Sequence, residues 1–216
     1  MPTNVKHNFY DSVKVGEACE YAFLTQWLEL KYPAPEWTIR DVTGDPYFRN
    51  KDIDFMVGKT AAIQGLSNKE IFERELYSET YEVKADYFNE TGNIFCETCS
   101  NVEWKTPGCH LKTEAGIIVH IAPNGEMLLF DVEKLKAFII EFVDGPSEAK
   151  NFTEVENEDP IRGNKITVGY TIRVRDPIIM STQIHNDIEY DKPIILIEQP
   201  WVREDKIDGY SKDGTK

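Results

Sequence analysis

A chain of 216 residues can bury a substantial apolar core in one domain, or one domain with a subdomain, and 41% hydrophobic with 29% charged residues excludes disorder of the low-hydrophobicity kind. A formal net charge of −14 repels polyanions at long range, although much of the acid lies between Glu141 and Asp159 and after Glu198, so a basic groove elsewhere is not excluded. The first thirty residues hold Lys6, His7, Asp11, Lys14, Glu17 and Glu20 and no apolar run, so neither a signal peptide nor a membrane span is expected; the reading is a cytoplasmic protein whose Cys19, Cys96, Cys99 and Cys109 are reduced rather than a disulfide scaffold.

From Ser12 to Lys31 the apolar residues Val15, Cys19, Ala22, Phe23, Trp27, Leu28 and Leu30 recur at mostly three- and four-residue steps, which predicts an amphipathic helix ended by Tyr32-Pro-Ala-Pro. Strands are expected over Trp37 to Thr43, Asp52 to Val57 and Thr80 to Tyr87, with 58–78 loop-like or briefly helical around Lys69 to Leu76. Asn93 to Thr98 follows as a strand after the turn Asn89-Glu-Thr-Gly. Gly116 to Ile121 and Met127 to Val132 flank a turn at Pro123-Asn-Gly, and a helix from Glu133 to about Phe142 presents Leu135, Phe138, Ile139 and Phe142. Pro146 to Pro160 reads as an acidic loop or linker, Lys165 to Val174 as a strand, and the last dozen residues as disordered.

In an extended strand alternate side chains share a face, so Asp52 with Asp54, and Glu82 with Lys84 and Asp86, point the same way while Ile53, Phe55, Tyr81, Val83 and Ala85 point to an apolar side. If the two strands are neighbours, Asp54 and Glu82 meet. Hard oxygen ligands of this kind suit Mg²⁺ or Mn²⁺. A lysine two residues from a metal-binding glutamate can orient or deprotonate a water that attacks a phosphodiester.

The set Asp54 … Glu82-Val-Lys84 resembles the PD-(D/E)XK nuclease superfamily, whose site is an acid on one strand and Glu-X-Lys on the next. Gly16-Glu-Ala-Cys-Glu20 is similar to the Gly-X-X-X-Glu opening of its junction-resolvase-like members, with Glu17 as the alternative to Glu20. Lys51-Asp-Ile-Asp-Phe, Tyr81-Glu-Val-Lys-Ala-Asp and Thr91-Gly-Asn-Ile-Phe-Cys-Glu97 together look like small phage and bacterial endonuclease-like proteins, over roughly residues 12–142. The resemblance implies an α/β fold with a restriction-endonuclease-like core, a mixed central sheet flanked by helices, over 1–145. Residues 146–216 would form a β-containing extension packed on it. It further implies a Mg²⁺-dependent (or Mn²⁺-dependent) nuclease acting on DNA, branched or damaged DNA included. Asp54, Glu82 and Glu20 would be metal ligands, Lys84 a catalytic residue, Glu97 and Asp52 supporting groups, and two sites of a homodimer would address two strands.

Each residue has a plainer account. Asp54, Glu82 and Lys84 can form a solvated strand face with a cross-strand ion pair, Asp52 a strand-edge residue, Asp86 one farther along the same face, and Glu20 a helix residue paired with a lysine. Lys112 and Thr113 can contact phosphate or sit in a solvated loop, and Arg173 and Arg175 are expected to be structural. Cys96-Glu-Thr-Cys99 with Cys109-His110 supplies zinc-type ligands, but on a continuous strand Cys96 and Cys99 face opposite sides, so buried free thiols are the expectation. The function competing with a nuclease is a catalytically silent binding, assembly or DNA-mimic protein, for which the charge of −14 speaks.

Overall fold

The computed structural model describes residues 9–85, 93–121, 127–142, 153–158, 165–173 and 195–198. Helix α1 (Phe9–Phe23) runs through a single π-helical stretch, Leu24–Leu28, into the short α2 (Glu29–Lys31). Val15, Cys19, Ala22, Phe23 and Leu28 are buried along one side. Trp27 then stacks on Phe23 with ring centres 5.1 Å apart.

Three strands follow as an antiparallel meander: β1 (Trp37–Asp41), β2 (Phe55–Lys59) and β3 (Glu79–Ala85). Between them lie α3 (Pro46–Arg49), α4 (Thr60–Ile63) and α5 (Asn68–Glu73), the last opened by a capping box in which Ser67 and Glu70 satisfy each other's backbone N–H groups. The 58–78 segment is therefore two short helices, a little more ordered than its polar composition predicts.

After β3 the chain builds β4 (Asn93–Asn101), β5 (Thr106–Pro107) and α6 (Cys109–Lys112), and only then returns to the first sheet as β6 (Ile117–Ile121), which pairs parallel with β3. Next come β7 (Met127–Asp131) and α7 (Val132–Phe142), followed by β8 (Thr153–Glu158), β9 (Lys165–Arg173) and β10 (Ile195–Glu198). The architecture is α/β with a mixed six-stranded sheet, order β1-β2-β3-β6-β7-β10, flanked by helices, and a second, four-stranded sheet of order β5-β4-β9-β8.

The central sheet is covered on both faces, as strands in a parallel pairing usually are. On one face Phe55, Val57, Tyr81, Val83, Val119, Ile121, Met127 and Leu129 pack against α1. On the other, Ile118, Leu128 and Phe130 meet Val132, Leu135, Phe138 and Ile139 of α7 together with Ile94 and Cys96 of β4. Removing that much apolar surface from water at about 25 cal/mol per Å² is the main favourable term holding the layers together.

Several expectations need correction. The acidic stretch expected to be a loop contains β8, whose backbone pairs with β9 from Thr153↔Thr171 to Glu158↔Lys165. Within the β-containing extension expected over 146–216, β10 pairs antiparallel with β7. Strand β2 begins at Phe55 rather than Asp52, because Asp52 takes a left-handed backbone (φ 49°) in the turn that leads into it. Cys96 and Cys99 do not keep strict alternation either: a bulge in β4 sets them opposite Tyr170 and Val168, two residues apart on β9. Asp86, Arg175 and the last dozen residues lie outside the described residues.

Candidate functional site

Asp54 stands just ahead of β2, its backbone held on both sides. Its N–H donates to Tyr81 O at 2.8 Å, and its carbonyl accepts Val42 N–H at 2.9 Å. One carboxyl oxygen accepts the N–H of Val83 at 2.7 Å. The acid is thus tied by its own side chain to β3, and its carboxyl comes within hydrogen-bonding reach of Glu82. Asp54 and Glu82 meet although Asp54 is not a strand residue.

Glu82 is only 3% exposed. Its Oε1 pairs with Lys84 Nζ, while its Oε2 is buried with no hydrogen-bond partner. Glu20 of α1 is half-buried and close enough to feel the charges of Glu82, Lys84 and Asp41. Glu17, the other candidate on this helix, is exposed. Asp54, Glu82 and Lys84 therefore lie together, and Glu20 is near enough to share their charges.

Burial raises the proton affinity of all three acids. Glu20 is pushed up to about 7, first by desolvation and then by the Glu82 charge. Asp54 rises to about 6 by desolvation, against the pull of the Val83 N–H. Glu82 rises to about 8 by desolvation, which the nearby Lys84 ammonium only partly offsets. For Lys84 itself desolvation acts downward, but the paired Glu82 and then Asp54 outweigh it and hold the ammonium charged. Three carboxyls thus surround one cation in a place where a carboxylate is poorly solvated.

A second layer comes from β4 and α6. The Glu97 carboxyl accepts Cys109 N–H and faces Lys84 and Asp52; desolvation raises its pKa. The Glu97 N–H in turn donates to His110 Nδ1 at 3.0 Å. That contact places the His110 proton on Nε2, which lies 2.9 Å from His120 Nε2. The His120 proton is then on Nδ1, a buried atom without a partner. Burial, and then the Lys84 charge, pushes His120 down to about 3; burial and the facing His120 hold His110 well below its usual value, so both rings are neutral.

Gly108 makes this approach feasible: a Cβ there would sit 2.3 Å from Glu97 O and 2.8 Å from Thr98 N, inside backbone that cannot yield. Cys109 follows immediately, with Sγ 3.1 Å from His110 Nδ1. Desolvation raises its thiol to about 12, so it is no thiolate.

Comparison with family models, curated proteins and solved structures finds no match to this chain.

The remaining candidates fall into other roles. Asp52 accepts Lys112 Nζ at 3.1 Å, and its carbonyl accepts the Thr113 hydroxyl at 2.6 Å. Lys112 and Thr113 therefore anchor the turn before Asp54, and Asp52 reaches the site only through its charge on Glu82, Glu97 and Cys109. The side chain of Arg173 lies outside the described residues. Neither Cys96 nor Cys99 is in a disulfide, and among the described residues no three His, Cys, Asp or Glu side chains are set as a ready-made cation cage. His120 is absent from the candidates drawn from motifs, yet it is the one polar residue in the run Ile117–Ile121. An imidazole in a fully buried strand must have a polar partner, and that signal was there to be read.

Proposed function

We propose that this chain is a divalent-metal-dependent nuclease of PD-(D/E)XK type that hydrolyses DNA phosphodiesters. The observation that carries the reading is the convergence of Glu20, Asp54 and Glu82, all drawn out of water and all raised in pKa, around the ammonium of Lys84. Support also comes from the order of parts: a first helix bearing Glu20, an acid leading into β2, and Glu-X-Lys on the adjacent β3 of a mixed sheet.

The residues present fit Mg²⁺ or Mn²⁺. Glu82 Oε2 is buried with only the Asp54 carboxyl within hydrogen-bonding reach, so this pair of acids requires a shared proton or a cation between them, and carboxylate oxygens are the ligands these ions take. Asp54, Glu82 and Glu20 would hold the ion. When bound, it lowers the pKa of a coordinated water and stabilises charge on the phosphate.

The chain's own residues do the rest. The Val83 N–H fixes one Asp54 oxygen and leaves the other free to face Glu82. Lys84, at rest on Glu82 Oε1, neutralises the site; released from that pair, its ammonium can donate to an attacking water or to a phosphate oxygen. The buried surroundings make each such contact stronger than it would be in water.

A second reading is a silent binding or DNA-mimic protein, favoured by the charge of −14 and by the closed Lys84–Glu82 pair. Incubating labelled duplex, single-stranded and four-way-junction DNA with Mg²⁺, Mn²⁺ or EDTA, for the wild type and Lys84→Ala, separates the two. Metal-dependent cutting lost in the variant is the expected result; inertness of the wild type on every substrate would overturn the nuclease.

A further inference from the structure

Trp104 is held out into water. It occupies the turn 102–105 between β4 and β5 and is 76% exposed, whereas Trp27 stacks on Phe23 and Trp37 packs edge-on against Tyr32 with Lys59 over its ring. The turn is built firmly. Trp104 N–H donates to the Asn101 side chain at 3.0 Å, Lys105 takes a left-handed backbone (φ 50°), and the Ser100 hydroxyl donates to Pro107 O at 3.1 Å. A side chain presented on a pre-ordered turn loses little freedom when something covers it.

Both feet of this hairpin stand in the candidate site. The β4 strand leaves it at Glu97, and after β5 the chain returns through Gly108, packed against Glu97 O, to Cys109, whose N–H donates to the Glu97 carboxyl. Asn101 lies four residues along the bulged β4 from Glu97, a span of at most roughly 13 Å at about 3.3 Å per residue.

Resting on the nuclease reading above, we infer that Trp104 is a base-stacking residue: its indole covers the face of an unpaired nucleobase of the DNA strand that enters the Glu82–Lys84 site. Every base has a π face, so the contact selects single-stranded or unpaired positions and not a sequence. A duplex, with its bases already stacked, gains nothing from it.

The test is binding, measured in EDTA so that no cleavage intervenes. A single-stranded DNA oligomer carrying one 2-aminopurine, and its duplex form, are titrated with the full chain, Trp104→Phe and Trp104→Ala. The wild type should bind the single strand more tightly than the duplex and quench the 2-aminopurine; Trp104→Phe should stay within a few-fold, and Trp104→Ala should weaken binding about 10-fold or more with the quench lost. Unchanged melting temperatures for both variants show that the fold is intact, as expected for an exposed residue. Equal affinity of Trp104→Ala and the wild type, or no single-strand binding by the wild type, overturns the stacking role. Cleavage is scored separately: a wild type that cuts while Trp104→Ala still binds normally defeats this inference alone, and one that stacks bases but never cuts defeats the nuclease alone.

Discussion

One oxygen of the Asp54 side chain accepts the backbone N–H of Val83 at 2.7 Å, so an acid from a turn is fixed to the strand that carries Glu82 and Lys84 on either side of Val83. The acid and the Glu-X-Lys triplet therefore move as one unit.

That unit predicts stabilisation by metal. An ion that binds only the folded chain raises its stability by about 2.7 kcal/mol at a hundredfold excess over Kd, or roughly 5–10 °C in Tm for a domain of this size. Mg²⁺ or Mn²⁺ should give such a rise in the wild type and none in Asp54→Asn or Glu82→Gln, followed by thermal melting with each ion against EDTA. An equal rise in all three proteins would place the ion elsewhere.

The acids also set a pH dependence. Glu20, Asp54 and Glu82 have folded pKa values raised to about 7, 6 and 8 from ordinary values near 4. A raised acid contributes stability that is fully present below its unfolded pKa and lost as pH climbs through the folded one. In EDTA, urea stability should fall as pH rises from about 4, most steeply below about pH 6 where all three folded acids still hold a proton that the unfolded chain has lost, and level off above about pH 8. Mg²⁺ binds the deprotonated acids and should flatten or reverse that slope; a slope indifferent to Mg²⁺ would separate the acids from any ion.

The histidines act in the other direction. His120 is depressed to about 3, so its contribution is present above pH 6.5 and drains away as pH falls from 6.5 toward 3. His120→Phe, set beside Phe130 with ring centres 5.6 Å apart in the parent, removes one titrating ring. Urea stability plotted against pH between 4 and 6.5 should lose up to one proton's worth of slope in this variant. An unchanged slope would mean that another group governs acid unfolding.

Gly108→Ala tests how the second layer is docked. The added Cβ would overlap Glu97 O and Thr98 N, so β4 and α6 must part, at a cost of about 1–3 kcal/mol, typical of overpacking. Urea denaturation gives the cost directly. A neutral effect would show that α6 is already loosely seated.

What the sequence made legible was the part written in period and parity. The alternation around Glu82-Val-Lys84 located β3, and the three- and four-residue steps found α1 and α7. Non-local effects stayed hidden. Asp52 looked like strand because alternation cannot see that Lys112 and Thr113, sixty residues on, would hold it in a left-handed turn. Strand β8 looked like linker because Thr153-Glu-Val-Glu-Asn-Glu is acidic, and its pairing depends on β9 instead of its own propensity. The histidine pair required knowing that β6 lies beside β3, which sets His120 opposite Lys84.

That same parallel pairing fixes an order of events as the chain is made. Strand β3 finds its partner β6 only after the intervening β4 and α6 have been synthesised, since a parallel neighbour needs a long crossover. The far side of β7 then remains an open ladder of N–H and C=O groups until Ile195–Glu198 leave the ribosome to cover it. A nascent or truncated chain lacking β10 therefore carries an uncapped sheet edge, the kind of surface on which neighbouring chains pair with one another.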